Sequence, residues 1–243
     1  MNSNGSAARD RYLRPVDTDE LLAEQVSYYR ARAAEYDDWW FRRGRYDNGP
    51  EWNARWFAEV AEVESALERF GATGDVLELA CGTGLWTQHL ARTAARLTAV
   101  DASPEVIELN RARVADASVE YLKADIFDLE LPDRYDECCF GFWLSHVPEE
   151  RFAEFWGCVG RALRPGGRVF FVDSGIGRGD RAHTRERDPE TELRRLSDGR
   201  EFRIVKRYFE PPELERRLAG LGFRFEVSTT AGGSMVYGLG SHG

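Results

Sequence analysis

The chain has 243 residues, 42% apolar and 12% aromatic, which is enough for a sizeable core, or a domain with a lid, and argues against general disorder. Its formal net charge of −9 disfavours a nucleic-acid backbone as main partner, because phosphate binding needs a basic face. Its longest apolar runs fall far short of a membrane span.

Residues 1–18 are small and polar and read as a frayed tail. The start, "MNSNGSAARDRY", lacks the apolar segment of a secretory signal. Residues 20–45 read as a helix, with Leu21, Leu22, Val26, Tyr29, Ala33, Tyr36 and Trp40 recurring at three- and four-residue steps. "DNGPE" breaks the pattern, and a second stripe follows on Trp52, Trp56, Val60, Val63, Leu67 and Phe70, stopped by Gly71. From Asp75 short β-rich runs alternate with helical ones. Strands are expected at Val76–Leu79, Leu97–Val100, Val119–Leu122, Cys138–Leu144 and Val169–Val172. Helices are expected at Leu85–Ala95, at Pro104–Ala115 behind a Ser103 cap, and at Glu149–Leu163. That rhythm predicts right-handed βαβ units and a parallel sheet covered on both faces. "RPGG" (Arg164 to Gly167) predicts a turn into the fifth strand.

Residues 175–207 interrupt the rhythm. Between Arg178 and Arg207 nine Arg and one Lys stand against seven acids, which fits a solvated, internally paired face, with a clamp on a substrate carboxylate or phosphate as the other reading. A short helix (Pro211 to Phe223) and a hairpin of "FRFEVSTT" and "SMVYGLG" close the chain. The four cysteines are Cys81, Cys138, Cys139 and Cys158. They make no C-x-x-C pair or His/Cys cluster, so no metal is expected, and reduced thiols fit a cytoplasmic protein. Cys138 and Cys139 are expected on opposite faces of one strand.

The chemistry concentrates in "VLELACGTGLW", Val76 to Trp86. Gly82 and Gly84 let backbone approach a ligand at the carboxyl end of a strand, and a helix starting near Leu85 would aim its free N–H groups there. Asp101 ends the next strand, 17 positions after Gly84, where a carboxylate accepts from ribose hydroxyls. A dinucleotide fingerprint wants a small third residue, but Thr87 stands there. Glu78 just before the loop would repel a pyrophosphate and attract a cation, so the loop suits a positively charged nucleoside.

In order along Val76 to Val172, "ELACGTG", Asp101, "ADIFDL", "FGFWLSHVPEE" and "LRPGGRVFFVDS" resemble the class I S-adenosylmethionine-dependent methyltransferases, with Ala80 replacing the first glycine of the family loop. The resemblance implies a Rossmann-like, seven-stranded, mostly parallel α/β sheet whose last strand is antiparallel, with helices on both faces. It also implies a helical cap over 19–71, a cofactor-binding core over 72–174, a lid over 175–207 and a closing unit over 208–243. The implied cofactor is S-adenosylmethionine, with S-adenosylhomocysteine as product.

Glu78, Ala80, Gly82 and Gly84 would form the loop site, and Asp101 with Ala102 the ribose end. Asp125 would accept from the adenine amino group while Ile126 packs on the ring. Trp86, Gly141 and Phe142 would complete the contacts. On the first helix Tyr29 and Tyr36 would close over the sulfonium, with plain core packing as the other reading. His146 is the candidate base, against a structural role bonding a loop carbonyl. His183, Lys206 and Tyr208 are weaker substrate-pocket candidates, and Trp143 a candidate pocket wall. His89 and His242 read as structural or idle. The expected reaction is methyl transfer to O, N or C of a small organic metabolite, natural-product or quinone-like, by a cytoplasmic monomer or homodimer with no membrane or nucleic-acid partner. The alternatives are a nucleic-acid or protein methyltransferase and a non-catalytic S-adenosylmethionine sensor, with a nicotinamide enzyme further off.

Overall fold

The computed structural model describes residues 17–131, 134–176, 184–187 and 190–243, so the expected tail up to residue 16 and His183 lie outside the described residues. Two helices lead: α1 (Thr18–Trp40), capped by the Asp17 carboxylate on the Asp19 and Glu20 N–H groups, and α2 (Pro50–Phe70), with proline in its first turn. Gly71 ends α2 in the left-handed conformation expected of it (φ 62°). Of the second apolar stripe, Trp56, Val60, Val63, Leu67 and Phe70 are buried, while Trp52 on the first turn is 46% exposed.

The alternating part follows as β1 (Asp75–Leu79), α3 (Thr87–Leu90), β2 (Arg96–Asp101), α4 (Pro104–Val114), β3 (Val119–Lys123), β4 (Tyr135–Gly141), α5 (Phe152–Ala162) and β5 (Leu163–Ser174). A small excursion, β6 (Thr184–Arg187), β7 (Thr191–Arg195) and β8 (Glu201–Val205), forms its own antiparallel sheet. Then α6 (Pro211–Ala219), β9 (Phe223–Thr229) and β10 (Met235–His242) close the chain.

The main sheet has seven strands in the order β3-β2-β1-β4-β5-β10-β9. The first five run parallel, and β10 slips antiparallel between β5 and β9. Strand order reverses between β1 and β4, so the loops after these two strands diverge and leave a crevice at their carboxyl ends, where sheets of this type hold ligands.

Cys138 and Cys139 mark the two faces. Cys138 joins a core with Phe155, Trp156, Phe171 and Leu214, and Cys139 joins another with Val63, Ala66, Trp86 and Phe170. The inward face of α5 (Phe155, Trp156, Val159) is fully buried, each side chain contributing about 2 kcal/mol at most.

Several expected elements differ: the first helix stops at Trp40 instead of reaching residue 45, and the RPGG stretch (Arg164 to Gly167) lies inside an irregular first part of β5. The helix expected over Leu85–Ala95 shrinks to α3, flanked by turns in which i−3 and i−4 bonds mix (His89 N to Trp86 O, Gln88 N to Gly84 O). It is too short to supply the dipole a longer helix would bring. The fourth strand stops at Gly141, short of Leu144, because Phe142 turns left-handed (φ 55°) and Leu144–His146 coils into a 3₁₀ turn.

Candidate active site

The loop after β1 shows why it carries glycine. Gly82 and Gly84 both take positive φ (52° and 89°), and a Cβ on Gly84 would stand 2.7 Å from Asn110 Oδ1. Ala80 shares that conformation (φ 51°) without glycine's freedom. Asn110 fixes the loop from α4: its Nδ2 donates to the carbonyls of Cys81 and Gly82 at 3.2 Å each. Asp101, ending β2, accepts from Gly82 N at 3.0 Å and Ser103 N at 2.9 Å, one on each oxygen. The Ala102 N–H also faces this carboxylate, which keeps acceptor capacity for a ligand. Burial pushes the Asp101 carboxyl up, against those N–H groups that pull it down.

A crevice of ≈ 920 Å³, counting the solvent at its open mouth, lies there. Its walls are the loop (Ala80, Gly82, Thr83), the end of β2 (Asp101, Ala102, Ser103), the turn after β3 (Asp125, Ile126, Phe127), the end of β4 (Gly141, Phe142, Trp143, His146) and α1 (Leu22, Gln25, Val26, Tyr29, Ala33, Tyr36). Of the expected contacts, Tyr29, Tyr36, Ala80, Gly82, Asp101, Ala102, Asp125, Ile126, Gly141, Phe142 and His146 therefore meet at one cavity, and the candidate wall Trp143 joins them.

Glu78, Gly84 and Trp86 do not line it. Glu78 is 1% exposed beneath the loop and accepts from the Thr87 hydroxyl; its Oε2 has no hydrogen-bond partner among the described residues. Burial pushes its carboxyl up to about 8, which favours the protonated form near neutral pH. Gly84 packs on Asn110, and Trp86 lies under Gly141, edge-on to Trp40.

His146 sits 3% exposed on the turn after β4. Its Nδ1 meets the Val205 carbonyl at 2.7 Å, and a carbonyl only accepts, so Nδ1 carries the proton. Nε2 is then the acceptor for the Tyr29 hydroxyl at 2.5 Å. Burial, helped by nearby Lys206, pulls the imidazole well below its ordinary pKa, so it is neutral at pH 7. Gln25 ties the same elements together: its Nε2 donates to His146 O and its Oε1 accepts from Val205 N, both at 3.1 Å. On α1, Asp37 accepts from Thr83 Oγ1 at 2.9 Å and pairs with Arg113, which latches the helix to the glycine loop.

A second cavity, ≈ 590 Å³, abuts the first and shares Tyr29, Tyr36, Phe142 and His146 with it. Its far side holds Arg32, Arg42, Arg194, Lys206 and Tyr208. Lys206 and Tyr208 had been candidates; Arg32, Gln25 and Thr83 were missed. Arg32 carried a signal, since it lies three residues after Tyr29 and four before Tyr36, a charge on the apolar face of α1. His89 is a partner of Glu64 at 3.4 Å, and the His242 ring packs at a tilt against Phe223. Among the described residues no helix is long and apolar enough to cross a membrane.

A Rossmann-like sheet with a glycine loop at its switch point and a carboxylate ending the neighbouring strand defines a nucleoside-binding α/β protein. A family model described as a methyltransferase domain matches residues 76–167. Two solved structures, described as a DhpI–SAH complex and a DhpI–SAM–HEP complex, are each 38% identical, cover 93% of this chain and 99% of their own, and superpose with TM-scores of 0.74 and 0.75. A cypemycin N-terminal methyltransferase from a Streptomyces species is 36% identical over 114 residues, 46% of this chain and 45% of its own length. A ubiquinone biosynthesis O-methyltransferase from Xanthomonas euvesicatoria pv. vesicatoria is 34% identical over 112 residues, 44% and 45% of the two chains. The match thus spans about half the length of these curated relatives. The chain belongs to the class I S-adenosylmethionine-dependent methyltransferases.

Proposed function

We propose that this protein transfers a methyl group from S-adenosylmethionine to a small organic acceptor. The observation that carries the reading is the pair of abutting cavities divided by Tyr29, Tyr36, Phe142 and His146, one of them built on the glycine loop and Asp101. The DhpI structures, matched over nearly their whole length, hold SAH and SAM, which supports the cofactor. The cofactor supplies an activated methyl on a sulfonium. Asp101 holds the ribose hydroxyls, Asp125 the adenine amino group, and Ile126 packs on the ring. Tyr29 and Tyr36 turn aromatic surface toward the sulfonium, an attraction of roughly 0.5–2 kcal/mol. Glu78 supports the loop from beneath and does not touch the cofactor.

The protein's remaining task is to align two bound molecules and exclude water, and alignment of this kind lowers barriers by about 7–11 kcal/mol. The half-buried, largely aromatic dividing wall suits it. An acceptor of modest size is favoured over a nucleic acid because the second cavity is a small recess bounded by α1, the turn after β4 and the β7–β8 sheet.

Calorimetric titration with S-adenosylhomocysteine tests the cofactor assignment. Asp101→Asn is expected to weaken binding at least tenfold, while Glu78→Gln stays within threefold of the parent protein. No measurable heat with the parent protein would sink the reading. A large loss in Glu78→Gln would return that carboxyl to the cofactor.

A further inference from the structure

We propose that the second cavity is the acceptor site and that it takes a small organic anion, a carboxylate or phosphoryl-type acid, seated on Arg32, Arg194 and Lys206. The inference rests on the methyltransferase reading and names the substrate class for that site.

Among the described residues the cavity lining contains Arg32, Arg42, Arg194 and Lys206 and no carboxylate, in a chain whose overall charge is −9. Composition alone would not gather cations into one buried chamber. Arg32 is 4% exposed, and its Nε and Nη2 have no hydrogen-bond partner among the described residues. The rings of Tyr28, Tyr36 and Trp39 surround it at 5.7, 5.1 and 5.8 Å, which shields the charge without satisfying its N–H groups. A guanidinium taken from water with open donors is stable only where something completes it. Arg194 is 7% exposed; Nη2 pairs with Glu192 while Nε has no hydrogen-bond partner among the described residues.

Lys206 is placed differently. Its Nζ donates to Ser145 Oγ at 2.7 Å and Ser174 Oγ at 2.8 Å and stands 3.6 Å from Asp173. Asp173, fully buried, is itself held by the Ser145 N–H at 2.8 Å and the Ser174 N–H at 2.6 Å. The two acids, Asp173 and Glu192, thus sit outside the lining and fix Lys206 and Arg194 from behind, which leaves the chamber surface cationic. An acceptor anion entering from that side meets planar Arg donors suited to paired oxygens, with the rest of the molecule directed at the Tyr29–His146 wall.

The test uses the full-length protein saturated with S-adenosylhomocysteine and titrates in inorganic phosphate, malonate and, as an uncharged control, catechol. Saturable binding of phosphate or malonate is expected, with none for catechol. Arg32→Met and Lys206→Met are each expected to weaken the anion at least tenfold and leave S-adenosylhomocysteine within threefold, which also reports that the variant is folded. If either variant does not fold, Arg194→Gln and the charge-keeping Arg32→Lys take its place, with the first expected to lose the anion and the second to retain most of it. No saturable anion binding in the parent protein, equal affinity in parent and variants, or a preference for catechol overturns the proposal. Failure of the parent protein to bind S-adenosylhomocysteine strikes the methyltransferase reading instead.

Discussion

Ala80 holds a left-handed backbone (φ 51°) at the turn where β1 gives way to the glycine loop. A side chain in that region costs about 1–2 kcal/mol, and glycine returns part of the gain through a more flexible unfolded chain, about 0.4–1 kcal/mol. Ala80→Gly is therefore expected to stabilise the protein by about 1 kcal/mol, raising Tm by about 2–4 °C; a lower Tm in a thermal melt would contradict it. His146 invites a second test. Its Nε2 already accepts from the Tyr29 hydroxyl and the ring is 3% exposed, so we propose that a base role for His146 would work through the Tyr29 oxygen. We predict that His146→Gln and Tyr29→Phe each lower turnover at least tenfold when the nucleophile must lose a proton. Unchanged turnover in both would reduce the pair to a structural contact. Residues of the first cavity were legible because glycines and an acid at strand ends are local signals. Glu78 is expected at the cofactor but is buried outside the cavity lining, because a sequence gives its spacing from the loop but not the side of the loop on which its carboxyl lies.

At the scale of elements, α1 is held over the crevice by polar ties to separate parts of the fold: Gln25 to β8 and the His146 turn, Asp37 to the loop, and Arg30 to Glu105 on α4 at 2.7 Å. The Arg30–Glu105 pair is exposed and contributes little. Gln25 is 2% exposed, and its removal leaves a buried carbonyl and a buried N–H without partners. Gln25→Ala is expected to cost about 2 kcal/mol, seen as a lower urea midpoint at unchanged slope; an unmoved midpoint would mean that α1 is held by apolar contact alone. The alternating strands and helices were readable from the period of their apolar residues. The β6–β8 sheet was not, because in β7 Glu192, Leu193 and Arg194 are all buried and no apolar-polar alternation announces a strand. Its arginines counted as a balanced surface, and only the fold shows Arg194 turned inward.

Across the whole molecule, the second cavity joins cations from the beginning and the far end of the chain, Arg32 from α1 with Arg194 and Lys206 from the excursion, so no local window displays it. Burial pulls the Lys206 ammonium from its ordinary 10.5 down to about 8, with Asp173 and Glu192 raising it and Arg194 opposing them. Two pH effects of opposite sign follow. Between pH 8 and about 10.5 the unfolded chain holds a proton that the folded one has released, so stability relative to Lys206→Met rises with pH. Over the same window the chamber loses a positive charge, so affinity for an anionic acceptor falls, by at most about tenfold per pH unit. Melts and titrations at pH 7, 8.5 and 9.5 check both; an acceptor affinity that is flat or improves with pH would exclude Lys206 as a contact. Finally, α1 contributes Leu22 and Ala33 to one chamber, Arg32 and Trp39 to the other, and Tyr29 and Tyr36 to both. The two compartments share a single roof, and any swing of that rod unseals donor and recipient together.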